Sequence, residues 1–458
     1  MNSYESTSEH RINDKLMRFL YGRILLREEL PFTDHELDGV TQHTPGVVKV
    51  KGRYECQRCE NRDPQLFAHF TCYRCKKEMC YYCRHCIMMG RVSECSLLYE
   101  CAVPYHWPTL QDPLTWSGTL SPWQEKGSEA VVRAIGSRSE TLIWAICGAG
   151  KTEILFQGIQ KALQLGERVC IATPRTDVVL ELAPRLREAF PETSISALYG
   201  GSEERDTPGQ LVISTTHQLY RFKQAFNTVI VDEVDAFPYS YDTTLQNAVK
   251  KAAIDNAALL YLSATPNRTM RNLAKSSKLQ TVKIPRRFHG HPLPVPRLEM
   301  CWNWSKKIQQ GKLPRTLMKW LTQLQETNRN GFLFVPSIKL LKCILPLIQH
   351  DFPSSEGVHS EDLDRKEKVL RFRSGEIQLL VTTTILERGV TVPYLDVAVL
   401  GAEEDIFTES ALVQIAGRAG RKADDPSGDV VFLYHTKSEA MNKAVRHINM
   451  MNKEGAHE

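Results

Sequence analysis

The sequence predicts an α/β protein: two tandem parallel-sheet domains that follow a small cysteine-rich N-terminal module. Three observations lead there. Short apolar runs alternate with helical stretches over most of the chain. Two proline-crowded segments, 102–118 and 284–300, interrupt that alternation. Nine of the 13 cysteines fall between Cys56 and Cys101. The 458 residues leave room for two to four domains. A content of 42% hydrophobic and 24% charged residues is that of an ordinary globular protein and excludes a disordered or fibrous chain.

In chain order, residues 1–50 are expected to hold a short helical region. Leu16, Phe19, Leu20 and Ile24 recur at helical spacing, and Pro31 follows Glu28, Glu29 and Leu30. Residues 51–101 form the cysteine module, and Pro104, Pro108 and Pro113 mark 102–118 as a linker. Within 119–290 the runs Thr141–Ile146, Arg168–Thr173, Leu211–Thr215, Thr228–Val231 and Leu259–Leu262 read as strands buried on both faces. Within 300–458 Gly331–Val335, Ile377–Thr383, Val397–Gly401 and Asp429–Tyr434 read the same way. The opening MNSYESTSEHRINDK has no apolar core of a signal peptide. No apolar run approaches the roughly 18 residues of a membrane span. A reducing cytoplasmic setting is expected, where clustered cysteines hold metal more often than they pair.

The first chemistry lies in Ala145-Ile-Cys-Gly-Ala-Gly-Lys-Thr152, between a strand and the helical run 153–165. Backbone N–H groups of a loop containing Gly148, Ala149 and Gly150 can point at phosphate oxygens, and the helix N-terminus adds its dipole. Lys151 can reach the β- and γ-phosphates, and Thr152 can bind Mg²⁺ through its hydroxyl. The general pattern places Gly where Ala145 stands. The second signal is Val229-Ile-Val-Asp-Glu-Val-Asp235, an apolar strand ending in acids that need a cation or donor beside them. Asp232 would hold Mg²⁺ through a water and Glu233 would polarise the attacking water. The two motifs in one domain predict ATP hydrolysis.

Cys56-x-x-Cys59 and Cys83-x-x-Cys86 have the spacing of a tetrahedral zinc ribbon. Cys72-x-x-Cys75 and Cys80 leave other pairings open, such as Cys56/Cys59 with Cys72/Cys75. They also leave open a second metal held by Cys72, Cys75, Cys80 and either Cys95 or His85, or a set of small buried thiols. Cys147, Cys170, Cys301 and Cys343 read as packing residues. The net charge of +5 is concentrated in residues 51–91, which carry nine Lys or Arg against four Asp or Glu. Tyr54, Phe67, Phe70, Tyr73, Tyr81 and Tyr82 are interleaved with these cations. The combination suits either nucleic-acid contact or a protein-docking platform.

Over residues 118–440 the motifs resemble, in order, those of superfamily 2 helicases and translocases, which implies two RecA-like domains. Ala145–Thr152 resembles motif I, Asp232–Asp235 motif II, Ser263-Ala-Thr265 motif III, Thr382–Gly389 motif V and Gln414–Arg421 motif VI. The resemblance implies that Gln124 reads adenine and that Gln414 belongs to the nucleotide site. It also implies that Arg418 or Arg421, the latter preferred, reaches the γ-phosphate from the second domain. Thr173, Pro174, Arg175, Thr215, Thr216, Ser263, Thr265, Thr383 and Thr384 are the implied strand-contacting or coupling residues.

Ile146–Glu153, Thr173–Leu182, Asp232–Tyr239, Thr383–Thr391 and the module ending Tyr82–Ser93 further resemble the late-competence DNA-uptake ATPases of the ComFA family. That family pattern selects Cys56, Cys59, Cys83 and Cys86 as zinc ligands. It implies an ATPase stimulated by single-stranded DNA, working on the cytoplasmic side of a ComEC-type channel with ComFC and DprA. A homo-oligomer is left open. The alternative is a PriA-like replication-restart or repair helicase. A non-catalytic binding platform is disfavoured by the intact Lys151, Asp232, Glu233 and Arg421.

Overall fold

The computed structural model describes residues 14–384 and 392–456. Residues 14–20 form the expected helix, and Leu16, Phe19 and Leu20 bury one face of it in a small core with Leu25, Leu30 and Leu37. Ile24 does not continue that helix. It opens strand β1 (Ile24–Leu26), whose three residues are all buried. β1 pairs with β7 (Leu97–Cys101), which also pairs with β2 (Thr41–Pro45). The module is completed by two hairpins, β3 (Val47–Val50) with β4 (Arg53–Cys56) and β5 (Phe67–Phe70) with β6 (Cys80–Cys83). Among the described residues, the first fifty thus carry three strands besides the short helix, a 3-10 turn at Arg27–Glu29 and a four-residue helix at Asp34–Leu37.

The first large domain holds seven parallel strands: β8 (Glu140–Ala145), β9 (Val169–Thr173), β10 (Ile195–Leu198), β11 (Leu211–Thr215), β12 (Phe226–Asp232), β13 (Ala253–Ser263) and β14 (Gln280–Ile284). Their order is β10-β11-β9-β12-β13-β8-β14. The second holds β15 (Arg297–Met300), β16 (Asn330–Phe334), β17 (Ser355–Val358), β18 (Leu379–Thr382), β19 (Leu395–Leu400) and β20 (Val430–Tyr434). Their order is β15-β20-β19-β16-β18-β17, again parallel. Every strand read from the sequence is present. Within these two sheets the four that were not read, β10, β14, β15 and β17, are the four sheet edges. Edge strands keep one flank open, so their residues need not be continuously apolar; Gln280–Ile284 and Arg297–Met300 are mostly half-buried or exposed.

The 102–118 segment has almost no regular structure, yet it is laid against the first domain. Trp107 is buried, the Thr115 amide donates to Ala189 O at 2.9 Å, and Gln210 Nε2 donates to Pro108 O at 2.9 Å. The last helix, Glu439–Glu454, returns to the first domain. Its Glu454 pairs with Lys283 at 2.6 Å and its His447 meets the Trp144 ring edge-on at 5.6 Å. This returning helix helps to hold the two large domains face to face.

Candidate nucleotide cleft and metal module

β8 is buried over most of its length and delivers the phosphate loop to the sheet's C-terminal edge. The helix Lys151–Gln164 begins immediately after Gly150, so Lys151 and Thr152 occupy its first turn. Gly150 has φ +73°, and a Cβ there would lie 2.3 Å from Gln124 Nε2. The loop therefore rests on Gln124, whose Oε1 accepts from the Ser121 amide at 2.9 Å in the cap of the preceding helix. Asp232 ends β12, and Glu233 follows it in a left-handed conformation, φ 59°. Such backbone in a non-glycine residue is strained and concentrates at functional sites.

Gln124, Gly148, Ala149, Gly150, Lys151, Thr152, Asp232 and Glu233 line one cavity of about 520 Å³, and Gln414, Arg418 and Arg421 of the second domain close it. The domains approach closely there. A Cβ on Gly417 would stand 2.5 Å from the Cβ of Cys147, so this residue must be small. Cys147 consequently lies where the cleft meets the apolar core of the first domain, and Cys170 and Cys301 sit in apolar cores as well. Cys343 is exposed, against its reading as a packing residue: it falls on the outer face of its helix.

Burial, with the neighbouring Arg421 cation second, pushes Arg418 well below the usual arginine value. The same two causes lower Arg287 to about 10. An anion in the cleft would relieve this cationic crowding. Hard oxygen donors on Thr152 and Asp232 suit Mg²⁺. The Thr152 hydroxyl accepts from Arg185 Nη1 at 3.1 Å.

Asp235 forms the bridge between domains. It accepts from Ser263 Oγ at 2.6 Å and Thr265 Oγ1 at 2.7 Å within its own domain. From the other it accepts from Ser410 Oγ at 2.7 Å and Gln414 Nε2 at 3.0 Å. Ser263 and Thr265 thereby touch motif II and the second domain through one carboxylate. Arg271 reaches Glu409 at 3.1 and 3.2 Å, and buried Arg287 donates to Ala419 O at 2.7 Å and to Gly420 O. Arg185, Arg271, Arg287, Glu409 and Ser410 were not singled out from the sequence. Asp235 was visible there as the last acid of motif II.

The remaining strand-contacting candidates are dispersed. Thr173, Pro174, Thr215 and Thr216 are buried, and Arg175 is paired with Asp177 at 2.7 Å. Thr265 and Thr384 line a second interdomain cleft of about 550 Å³, flanked by exposed Phe237 and Tyr241. Thr383 precedes Thr384 and is half-buried. Residues 385–391 of the Thr383–Thr391 stretch lie outside the described residues.

In the module, the Cys56, Cys59, Cys83 and Cys86 sulfurs all lie within 4.8 Å of one another and are buried. Cys56–Cys86 is 3.8 Å and Cys59–Cys83 is 3.6 Å. Zn–S bonds of about 2.3 Å in a tetrahedron set sulfurs about 3.8 Å apart, so the donors fit zinc. Cys72 and Cys75 group with Cys80 and Cys95, not with Cys56 and Cys59. His85 joins neither set. Its Nε2 lies 2.8 Å from Tyr220 Oη and 2.6 Å from Thr244 Oγ1.

Two sequence impressions change here. Arg58 is fully buried, donating to the Met89, Cys86 and Gly90 carbonyls at 2.7–3.0 Å, so it is a strut and not part of the basic surface. Most of the aromatics stack on one another, with Tyr54 on Tyr81 at 4.2 Å and Phe70 against Tyr82 at 5.8 Å. Tyr73 alone of the six is almost fully exposed, at 96%. Arg221 and Arg58 share Glu29, and Lys251 donates to Arg58 O, locking the module onto the first domain.

A cleft with its phosphate side in one parallel-sheet domain and its arginine side in another belongs to a superfamily 2 helicase-class ATPase. Residues 117–268 match the family model "Type III restriction enzyme, res subunit", and residues 312–423 match "Helicase conserved C-terminal domain". The fold is also that of the DEAD-box helicase Mss116 bound to ssRNA and UDP-BeF. The TM-score is 0.55 at 16% identity, covering 72% of this chain and 77% of that one.

Within that class the chain belongs to the ComFA family of competence proteins. Residues 8–100 match the ComFA N-terminal domain model. The chain is 48% identical to the competence protein ComFA of Bacillus subtilis over 96% of its own length and 95% of that protein's. It is 38% identical to that of Streptococcus pneumoniae over 94% and 98%. Among the described residues no helix is long and apolar enough to cross a membrane.

Proposed function

We propose that this ATPase is a translocase that draws single-stranded DNA into the cytoplasm during natural competence. The observation that carries the reading is the split cleft: Lys151, Thr152, Asp232 and Glu233 face Gln414, Arg418 and Arg421 across a domain boundary. Lys151 would bind the β- and γ-phosphates, and Gln124, against the phosphate loop, would read the adenine. Thr152 and Asp232 would hold Mg²⁺, which when bound offsets the charge developing on the phosphates. Glu233 would orient the attacking water and accept its proton as the water oxygen bonds to the γ-phosphorus, while the bond from that phosphorus to the β–γ bridging oxygen breaks and ADP departs with those electrons. Arg421 would stabilise the departing γ-phosphoryl charge, with Arg418 behind it.

Because the arginines come from the second domain, hydrolysis would require closure, and closure would pass through Asp235 to Ser263 and Thr265. ATP state and grip on the strand would be coupled in this way. Zinc would be held by Cys56, Cys59, Cys83 and Cys86 as a structural ion. Family membership favours import over the replication-restart or repair alternative, and a ComEC-type channel, ComFC and DprA are the partners this reading proposes.

The test pairs a rate with a transport assay. Purified protein should hydrolyse ATP faster with single-stranded DNA, and cells carrying Lys151→Ala should fail to internalise labelled DNA. Equal turnover with and without DNA would sink the motor reading. Normal uptake in the variant cells would leave the repair reading.

A further inference from the structure

We propose that Cys72, Cys75, Cys80 and Cys95 form a second zinc site, distinct from the Cys56, Cys59, Cys83 and Cys86 set. Their four sulfurs lie within 4.8 Å of one another. Cys72–Cys95 is 3.5 Å and Cys80–Cys95 is 3.7 Å, close to the roughly 3.8 Å edge of a zinc tetrathiolate and far from the roughly 2.0 Å of a disulfide. One ion fits this spacing, whereas an iron–sulfur cluster would hold its cysteines farther apart.

Backbone geometry supplies a second observation. In the first site, Glu60 follows the Cys56-x-x-Cys59 knuckle in the left-handed region, φ 59°. Lys76 follows Cys72-x-x-Cys75 in the same way, φ 56°. The two knuckles therefore turn alike, although only the first is embedded in an apolar core. None of the three apolar cores of the described residues includes Cys72, Cys75, Cys80 or Cys95. Cys72 and Cys80 are nonetheless buried, at 5% and 0% exposure. Thiols serving as small apolar side chains would be expected among apolar neighbours; these converge on one another instead.

The placement also answers a stability problem. The β5–β6 hairpin has four-residue strands, and an isolated hairpin of that size is marginal in water. Strand β6 has Cys80 at one end and Cys83 at the other, one for each sulfur set. Two ions would clamp the hairpin at both ends, in a module too small to rely on its core. Arg74, Lys76 and Lys77 in the knuckle would offset the charge of about −2 that four thiolates and Zn²⁺ leave. The exposed Tyr73 and its cationic neighbours would be held on a fixed loop.

Zinc per chain in the full-length protein, measured by elemental mass spectrometry and by chelator release, tests this. Two ions per chain are expected, with one leaving first because Cys75 and Cys95 are half-exposed. Cys72→Ser/Cys95→Ser should keep one ion. One ion in the wild type, unchanged in that variant, would overturn the proposal. So would two fewer free thiols than the 13 of the sequence after metal-stripped denaturation without reductant, since that marks a disulfide. Should the variant not fold, Co²⁺ substitution of the wild type decides. Two equivalents with tetrahedral tetrathiolate absorption are expected, and saturation at one overturns it.

Discussion

The nucleotide cleft and the cysteine module solve the same problem, fixing several side chains on one point, by opposite means. In the module, Cys56/Cys59 and Cys83/Cys86 arrive as short knuckles whose spacing already sets two ligands side by side. In the cleft, Lys151 and Asp232 belong to one domain while Gln414 and Arg421 come from the other, and the intervening contacts run through Asp235, Glu409 and Arg287. Local spacing makes a site that is permanently assembled. A site divided between domains can open, as the proposed translocase action requires.

The sharpest way to break this contrast is to remove one charge from each side of the cleft. Lys151→Ala and Arg421→Ala are each expected to lower ATP turnover by about 10³-fold, in line with the weight of transition-state charge stabilisation in phosphoryl transfer. They should differ in binding: Lys151→Ala weakens nucleotide affinity, whereas Arg421→Ala leaves it nearly intact and loses kcat. Fluorescent-nucleotide titration beside steady-state kinetics separates them. An Arg421→Ala enzyme with wild-type kcat would place the second-domain charge elsewhere, with Arg418 next in line.

A smaller effect is expected at the bridge. Asp235→Asn keeps the shape but removes the charge that accepts from Ser263, Thr265, Ser410 and Gln414. Charge-assisted hydrogen bonds are worth about 1.5–3 kcal/mol each, and part of this is recovered by the amide. A loss of roughly tenfold in DNA-stimulated turnover is expected, with unstimulated ATP affinity unchanged. Equal loss of stimulated and unstimulated rates would make Asp235 part of the chemistry and not of the coupling.

The legibility of these features followed the same division. Lys151, Thr152, Asp232 and Glu233 could be read because strand, loop and helix N-terminus are contiguous in sequence. The inner strands could be read because burial on both faces demands unbroken apolar runs. The four edge strands escaped, since one open flank tolerates residues such as Gln280, Lys283, Arg297 and Glu299. Arg287 and Glu409 escaped because their partners are set by domain closure, which leaves no periodic trace. Arg58 misled, counted as surface charge when three carbonyls and Glu29 hold it inside. Ile24 fitted a helical stripe by spacing alone, while strand pairing with Glu100 decided its conformation.

On the module side, the contact of His85 with Tyr220 and Thr244 offers a test of how firmly the permanent site is seated on the first large domain. Tyr220→Phe removes one hydroxyl from that partly buried network. A cost of about 1 kcal/mol is expected, read as faster proteolysis in the module at unchanged zinc content. Zinc loss in that variant would mean that docking and metal binding are one unit, and the contrast between an assembled module and a divided cleft would weaken.

The smallest expected effect lies at Glu409, where the divided cleft can be tuned by pH. Its carboxylate takes hydrogen bonds from Arg271 in the first domain and lies 3.0 Å from His447 Nδ1 on the returning helix. Burial alone would raise its pKa, but the bonds to His447 and Arg271 outweigh that and bring it from the ordinary 4.5 to about 2. A carboxylate with a depressed folded-state pKa stabilises the protein fully above its unfolded value, and that contribution drains away as pH falls toward the folded one. The window for Glu409 therefore runs downward from about 4.5 to about 2. Glu409→Gln should lower the melting temperature at pH 7 by about 2–4 °C, the shift expected for about 1 kcal/mol in domains of this size. The gap from wild type should narrow between pH 5 and pH 3. A gap that stays constant over that range would mean that the Arg271–Glu409–His447 contact contributes shape and not charge to the interdomain cleft.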